Sequence, residues 1–187
     1  MTYGIVRNDE DTVVLLDDSI VRGTTLKESI INILSKLFPK KIIIVSSAPQ
    51  IRYPDCYGID MSVMKSFVAF QAMIELCEEM GKEDFIEEIY ERCKAQEDLP
   101  KEEMVNHVKE LYAMFTDKQI SDRIAAIVRP ANLKYELEVL FQTIEGLHLA
   151  CPENLGDWYF SGDYPTPGGT KVVNKAFINY MEKSSER

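Results

Sequence analysis

Residues 13 to 16, Val-Val-Leu-Leu, form a short apolar run closed by polar residues, the pattern of a strand buried on both faces. Behind it Leu26, Ile30, Ile33, Leu34 and Leu37 recur at helical spacing, and Thr25 with Glu28 makes a T-x-x-E capping box that starts the helix near Thr25. Pro39 ends it. Ile42 to Val45 is a second apolar run, so the first 47 residues predict a βαβ unit with parallel strands. The stretch SAPQIRYPDCYGID carries two prolines and a glycine and reads as an ordered loop at that strand's carboxyl end.

From about residue 66 to 115 the pattern changes to charged, amphipathic helix broken at Gly81 and Pro100, with Phe85, Ile86, Ile89 and Cys93 on one face and Met104, Val108, Leu111 and Phe115 on another. Thr116 and Gln119 form a further capping box, opening a helix that stops before Pro130. Leu137 to Phe141 reads as a third strand, and Thr143 caps a short helix through Ala150. The tail from Pro152 to Thr170, rich in Pro and Gly, is expected to wrap a surface before a last helix containing Val173, Phe177 and Met181. The fold class is therefore α/β. Three parts are expected: a βαβ part over 1–64, a helical section over 65–130, and a strand, helix and tail over 131–187 that pack on the same domain as the first part.

Composition narrows the function classes. The chain has 187 residues, 45% of them hydrophobic, enough to bury a core. Its net charge of −10 makes nucleic acid an unexpected partner and requires any bound anion to be held by a local device. No apolar run has the length of a membrane span, and MTYGIVRNDEDT lacks the regions of a secretory signal, so a cytoplasmic location is expected. The four cysteines, Cys56, Cys77, Cys93 and Cys151, are scattered, as for reduced thiols.

The candidate chemistry lies where the first strand stops. In a parallel α/β sheet, ligands bind beyond the carboxyl ends of the strands, and Asp17 and Asp18 sit at such an end. A helix starting near Thr25 turns free N–H groups and its positive dipole end toward residues 19 to 25, a cradle suited to phosphate. Gly23 permits close backbone approach, Ser19, Thr24 and Thr25 offer hydroxyls, and Arg22 offers charge. The two carboxylates would repel a phosphate and suit a sugar diol or a hard divalent cation. Chain order thus predicts a phosphorylated sugar, with its hydroxyls and Mg²⁺ at the aspartates and its phosphate at the helix start.

The stretch VVLLDDSIVRGTT resembles the signature of type I phosphoribosyltransferases, and the form DDSIVRGTT most resembles the amidophosphoribosyltransferases; APQIRYPDCYGIDM at 48–61 and FSGDYPTP at 160–167 support the narrower assignment. The resemblance implies a partial type I phosphoribosyltransferase fold, a Rossmann-like parallel sheet with an added helical section. It implies that Asp17 and Asp18 are the catalytic pair that binds Mg²⁺ and the ribose of phosphoribosyl pyrophosphate (PRPP), and that Ser19, Ile20, Val21, Arg22, Gly23, Thr24 and Thr25 hold the 5-phosphate. The implied reaction is displacement of pyrophosphate by glutamine-derived ammonia to give 5-phosphoribosylamine, the first step of purine biosynthesis. Two fixed carboxylates near the anomeric carbon stabilise the positive charge that builds there.

The chain departs from the family in several places. Thr2, not a cysteine, follows Met1, and the signature starts only 12 residues in. The expected partners are therefore the missing N-terminal glutaminase and phosphoribosyltransferase portion, with PRPP and purine nucleotides as ligands; alone, the chain is expected to be inactive. An unfinished sheet should expose an edge and apolar surface, so a homo-oligomer is expected. Some members hold an iron-sulfur cluster, but here Asp55 stands where the first cysteine belongs, with Cys56 one residue later, and His148 replaces the first cysteine of the pair that ends at Cys151. No cluster is expected. Cys77 and Cys93 read as small core residues and His107 as a surface histidine, whereas Tyr57, Gly58 and Asp60 either pack or shape the nucleotide side of the crevice. Two other readings stand beside this one: a salvage phosphoribosyltransferase, which requires a complete sheet and a base-recognising hood, and a non-catalytic PRPP- or nucleotide-sensing module.

Overall fold

A computed structural model describes residues 4–55 and 61–184. Strand β1 (Thr12–Asp17) is followed by helix α1, which opens as a π-helical stretch, Leu26–Ile30, and continues as Ile31–Ser35; strand β2 is Lys41–Ser46. A 3-10 turn, Met64–Ser66, leads to α2 (Val68–Glu79) and α3 (Glu83–Lys94), which break at Gly81 with φ +63°. Helices α4 (Val108–Tyr112) and α5 (Asp117–Val128) precede strand β3 (Glu136–Phe141). Helices α6 (Ile144–Ala150), α7 (Trp158–Ser161) and α8 (Pro167–Met181) complete the described chain. The amphipathic face expected around Met104 and Phe115 shrinks to the single turn of α4, because both residues lie outside it; Phe115 is nevertheless buried.

The three strands are parallel in the order β1-β2-β3, with Leu16, Val45 and Leu140 in register across the sheet. Ile42, Ile44 and Val139 share one face and join a core that takes in Phe70, Leu111, Ile120, Val173 and Phe177 from the helices. On the opposite face Val14 is 56% and Leu16 77% exposed, and Leu140 is exposed beside them. This corrects the expectation that the first apolar run is buried on both faces. β1 is an edge strand among the described residues, and its alternate side chains meet no helical layer. At the amino end of the open face Lys41 bridges Glu136 at 2.7 Å and Glu138 at 2.6 Å. No helix among the described residues is long and apolar enough to cross a membrane.

Candidate functional site at the carboxyl end of the first strand

The capping pattern at Thr25 and Glu28 does not operate. Thr25 is already helical, with φ −60° and ψ −39°, and its side chain makes no capping bond. Gly23, at φ +70°, makes the entry instead, and its carbonyl accepts the first helical bond from the Lys27 N–H at 3.0 Å. Moving the helix start forward puts Thr24 and Thr25 in the first turn, where side chains flank the unsatisfied N–H groups of a helix N-terminus. A cavity of about 560 Å³ lies over this turn, lined by Asp17, all of residues 19–25, Leu26 and Met61.

The two aspartates are not equivalent. Side chains alternate between the faces of a strand, and Asp17 continues the face of Val13 and Leu15 whereas Asp18 follows the open one. Asp17 is half-buried and lines the cavity; Asp18 is exposed and does not. Their backbones are held alike. The Ser47 N–H donates to the Asp17 carbonyl at 2.9 Å and the Ala48 N–H to that of Asp18 at 3.0 Å, extending the pairing of β1 with β2 past the ladder. The Ser47 hydroxyl adds a bond to the Asp18 carbonyl at 3.2 Å. Each carboxylate also turns one oxygen onto the chain, Asp17 Oδ1 accepting from the Asp18 N–H at 3.0 Å and Asp18 Oδ1 from the Ser19 N–H at 2.7 Å.

The loop beyond β2 meets the tail. The N–H groups of Arg52 and Tyr53 donate to the Tyr159 carbonyl at 2.9 and 3.1 Å, the Tyr159 hydroxyl bonds Asp55, and the Tyr164 hydroxyl donates to the Pro54 carbonyl. Two stretches more than a hundred residues apart in sequence, 48–55 and 159–164, thus share one seam. Buried Gln50 fastens the same loop to α5, donating to the Asp117 carbonyl and the Ser121 hydroxyl, each at 2.8 Å.

No family model matches the chain. Curated proteins do. The chain is 42% identical over 78 residues to the amidophosphoribosyltransferase of Haemophilus influenzae, covering 41% of this chain and 15% of that protein. It is 48% identical over 61 residues to the amidophosphoribosyltransferase of Pasteurella multocida, covering 33% and 12%, and 40% identical over 87 residues to that of Saccharomyces cerevisiae, covering 44% and 17%. The chain is related to the amidophosphoribosyltransferases. The matched part amounts to 12% to 17% of the length of these relatives.

Of the two strand-end carboxylates, only Asp17 lies on the cavity side. Asp17 and Asp18 each keep one carboxylate oxygen beyond the local N–H bonds, and Mg²⁺ is commonly held by one or two carboxylates together with substrate phosphates. Among the described residues no group of three or more His, Cys, Asp or Glu side chains is placed to hold a metal. Cys56, Tyr57, Gly58 and Asp60 lie outside the described residues. Cys151 is exposed, and His148 Nε2 stands 3.1 Å from Asp157 Oδ2. Cys77 and Cys93 are buried, and burial pushes their thiols up to about 11 and about 12. His107 is only partly exposed, its side chain 19%, with Nδ1 2.8 Å from Glu110 Oε1, the contact that does most to hold Glu110 below the usual carboxylate range.

Sequence reasoning gave no role to Met61 and Ser47. Met61 closes the quoted 48–61 stretch, so the resemblance marked its neighbourhood but not its place in the cavity wall. Ser47 follows β2 directly, and only the strand register reveals what it holds.

Proposed function

We propose that this chain is the PRPP-binding portion of an amidophosphoribosyltransferase, which forms 5-phosphoribosylamine from PRPP and ammonia with release of pyrophosphate. The observation that carries the reading is the single cavity that gathers Asp17, the whole of 19–25 and a helix N-terminus opened by Gly23. Similarity to proteins named amidophosphoribosyltransferase supports the choice among sugar-phosphate enzymes.

In this reading the 5-phosphate sits over the first turn of α1, where backbone N–H groups and the hydroxyls of Ser19, Thr24 and Thr25 replace its water and the positive dipole end attracts it locally against the chain's net charge of −10. Asp17 faces the ribose from the strand end and stabilises positive charge at the anomeric carbon as the pyrophosphate bond breaks. Asp18, exposed beside the cavity, adds negative charge at its rim. Asp17, with Asp18 beside it outside the cavity lining, would hold Mg²⁺, which would supply charge neutralisation for the departing pyrophosphate. Catalysis belongs to the longer enzyme, with the rest of the polypeptide as its partner.

Calorimetric titration with PRPP, with and without Mg²⁺, tests the reading. Mg²⁺-dependent binding is expected, and Asp17→Asn should weaken it about tenfold to a hundredfold, the loss of one charge-assisted contact. Asp18→Asn should also weaken it, by less, because Asp18 lies outside the cavity lining. Absence of PRPP binding by the unaltered chain would end the proposal.

A further inference from the structure

Residues 22–24 are a partition. Arg22, Gly23 and Thr24 line the phosphate-side cavity and also a second cavity of about 280 Å³ behind them, whose other walls include Lys27, Gln71 and Val128. A segment open on both sides has little packing of its own to fix its shape, so its tethers decide it. Two of these tethers involve Val68. The N–H of Val68, the first residue of α2, donates to the Val21 carbonyl at 2.8 Å, which satisfies both a helix N-terminal donor and the loop. Gly23 is wedged between the same residue and the end of α5: a Cβ built on it would stand 3.4 Å from Val68 Cγ2 and 2.8 Å from Val128 Cγ1.

We infer that Val68 is a positioning residue for the anion loop, and that the start of the helical section thereby sets the affinity of the site in front of it. The inference rests on the sugar-phosphate reading above. With the Val68 tether in place, the loop spends most of its time in the concave shape whose N–H groups converge on one anion. Without it the competent fraction falls, and apparent affinity falls in proportion.

Val68→Pro removes that N–H and little else of the backbone. Proline is accepted at the first helical position, and Phe67, at φ −79° and ψ 124°, already has the extended conformation required before proline. Val68→Ala trims the side chain but keeps the N–H. The probe is ribose 5-phosphate, followed by calorimetry, with amide hydrogen exchange of residues 21–25 read alongside. Val68→Pro is expected to weaken binding about tenfold and to speed exchange across the loop, with Val68→Ala within about threefold of the unaltered chain. Val68→Pro binding as tightly as the unaltered chain overturns the inference and leaves the site reading intact; failure of the unaltered chain to bind ribose 5-phosphate removes both. Should Val68→Pro not fold, exchange at the Val68 amide of the unaltered chain decides: slowing on ligand addition is expected, and no change overturns the inference.

Discussion

Gly23 is where residue chemistry is most constrained, by two independent demands. Its φ of +70° costs a side-chain-bearing residue about 1–2 kcal/mol, and a Cβ would crowd Val128 at 2.8 Å. Gly23→Ala should therefore lower unfolding free energy by about 2–3 kcal/mol in urea titration and weaken sugar-phosphate binding as well. A loss under about 0.5 kcal/mol would show that the backbone escapes its left-handed conformation easily. The buried thiols make a second prediction at this scale. Alkylation mapped by mass spectrometry should label Cys151 quickly in the folded chain, and Cys77 and Cys93 only on unfolding, since burial keeps both protonated. The sign of the pH dependence follows from the same shifts. A thiol raised from 9.0 in the unfolded chain to about 11 in the folded one favours the folded state below pH 9 and loses that contribution as pH rises toward 11. Burial raises the phenol of Tyr112 in the same direction. The urea midpoint should fall between about pH 8 and about pH 10.5; a flat profile would contradict this.

Among the elements, α5 and α1 contrast in how they begin. At α5 the capping box forms as its sequence predicts: Thr116 Oγ1 accepts from the Gln119 N–H at 3.2 Å and Gln119 Oε1 accepts from the Thr116 N–H at 2.9 Å. Thr116→Ala should cost about 1 kcal/mol, read as a shift in the thermal midpoint, whereas Thr25→Ala should cost stability little, because Thr25 caps nothing. The reverse ranking is expected for phosphate affinity. Both helices carry a T-x-x-E/Q pattern, and the difference arises from Gly23, which turns the chain two residues before Thr25. Lys27 completes the junction by donating Nζ to the Ile127 carbonyl at 3.0 Å, placing positive charge at the carboxyl end of α5.

For the whole molecule, the core and the open face pull in different directions. Ile44, Phe70, Ile120, Val139 and Phe177 belong to one buried cluster, so the three stretches distinguished in the sequence should unfold together. Fluorescence of Trp158, the chain's single tryptophan, and far-ultraviolet circular dichroism should give coincident transitions; separate midpoints would mean that the helical section is a domain of its own. Meanwhile a parallel sheet normally has both faces covered, and here Val14, Leu16 and Leu140 are exposed on one of them. Self-association that rises with concentration is expected in light scattering, and Leu16→Glu should reduce it, because Leu16 is 77% exposed and can accept a charge at little cost to folding. A monomer at all concentrations would contradict this.

What the amino-acid sequence determined by itself is local. Apolar runs of strand length, a 3.6-residue period, the Thr116 and Thr143 caps, the break at Gly81 and the acid-to-glycine order from Asp17 to Thr25 all express preferences of a few consecutive residues, and each is present in the fold. What tertiary structure alone decided depends on which neighbours meet. The apolar run at 13–16 carries no mark of lying at an edge, and Thr25 and Glu28 carry none of standing inside a helix that Gly23 has already begun. Asp17 and Asp18 are the same residue type one position apart, and the pleat, once the helices take one side of the sheet, sends only the first into the cavity. Val68, 45 residues beyond Gly23, comes to the loop through packing, because long-range contacts are set by the summed burial of the core and leave no periodic trace in sequence.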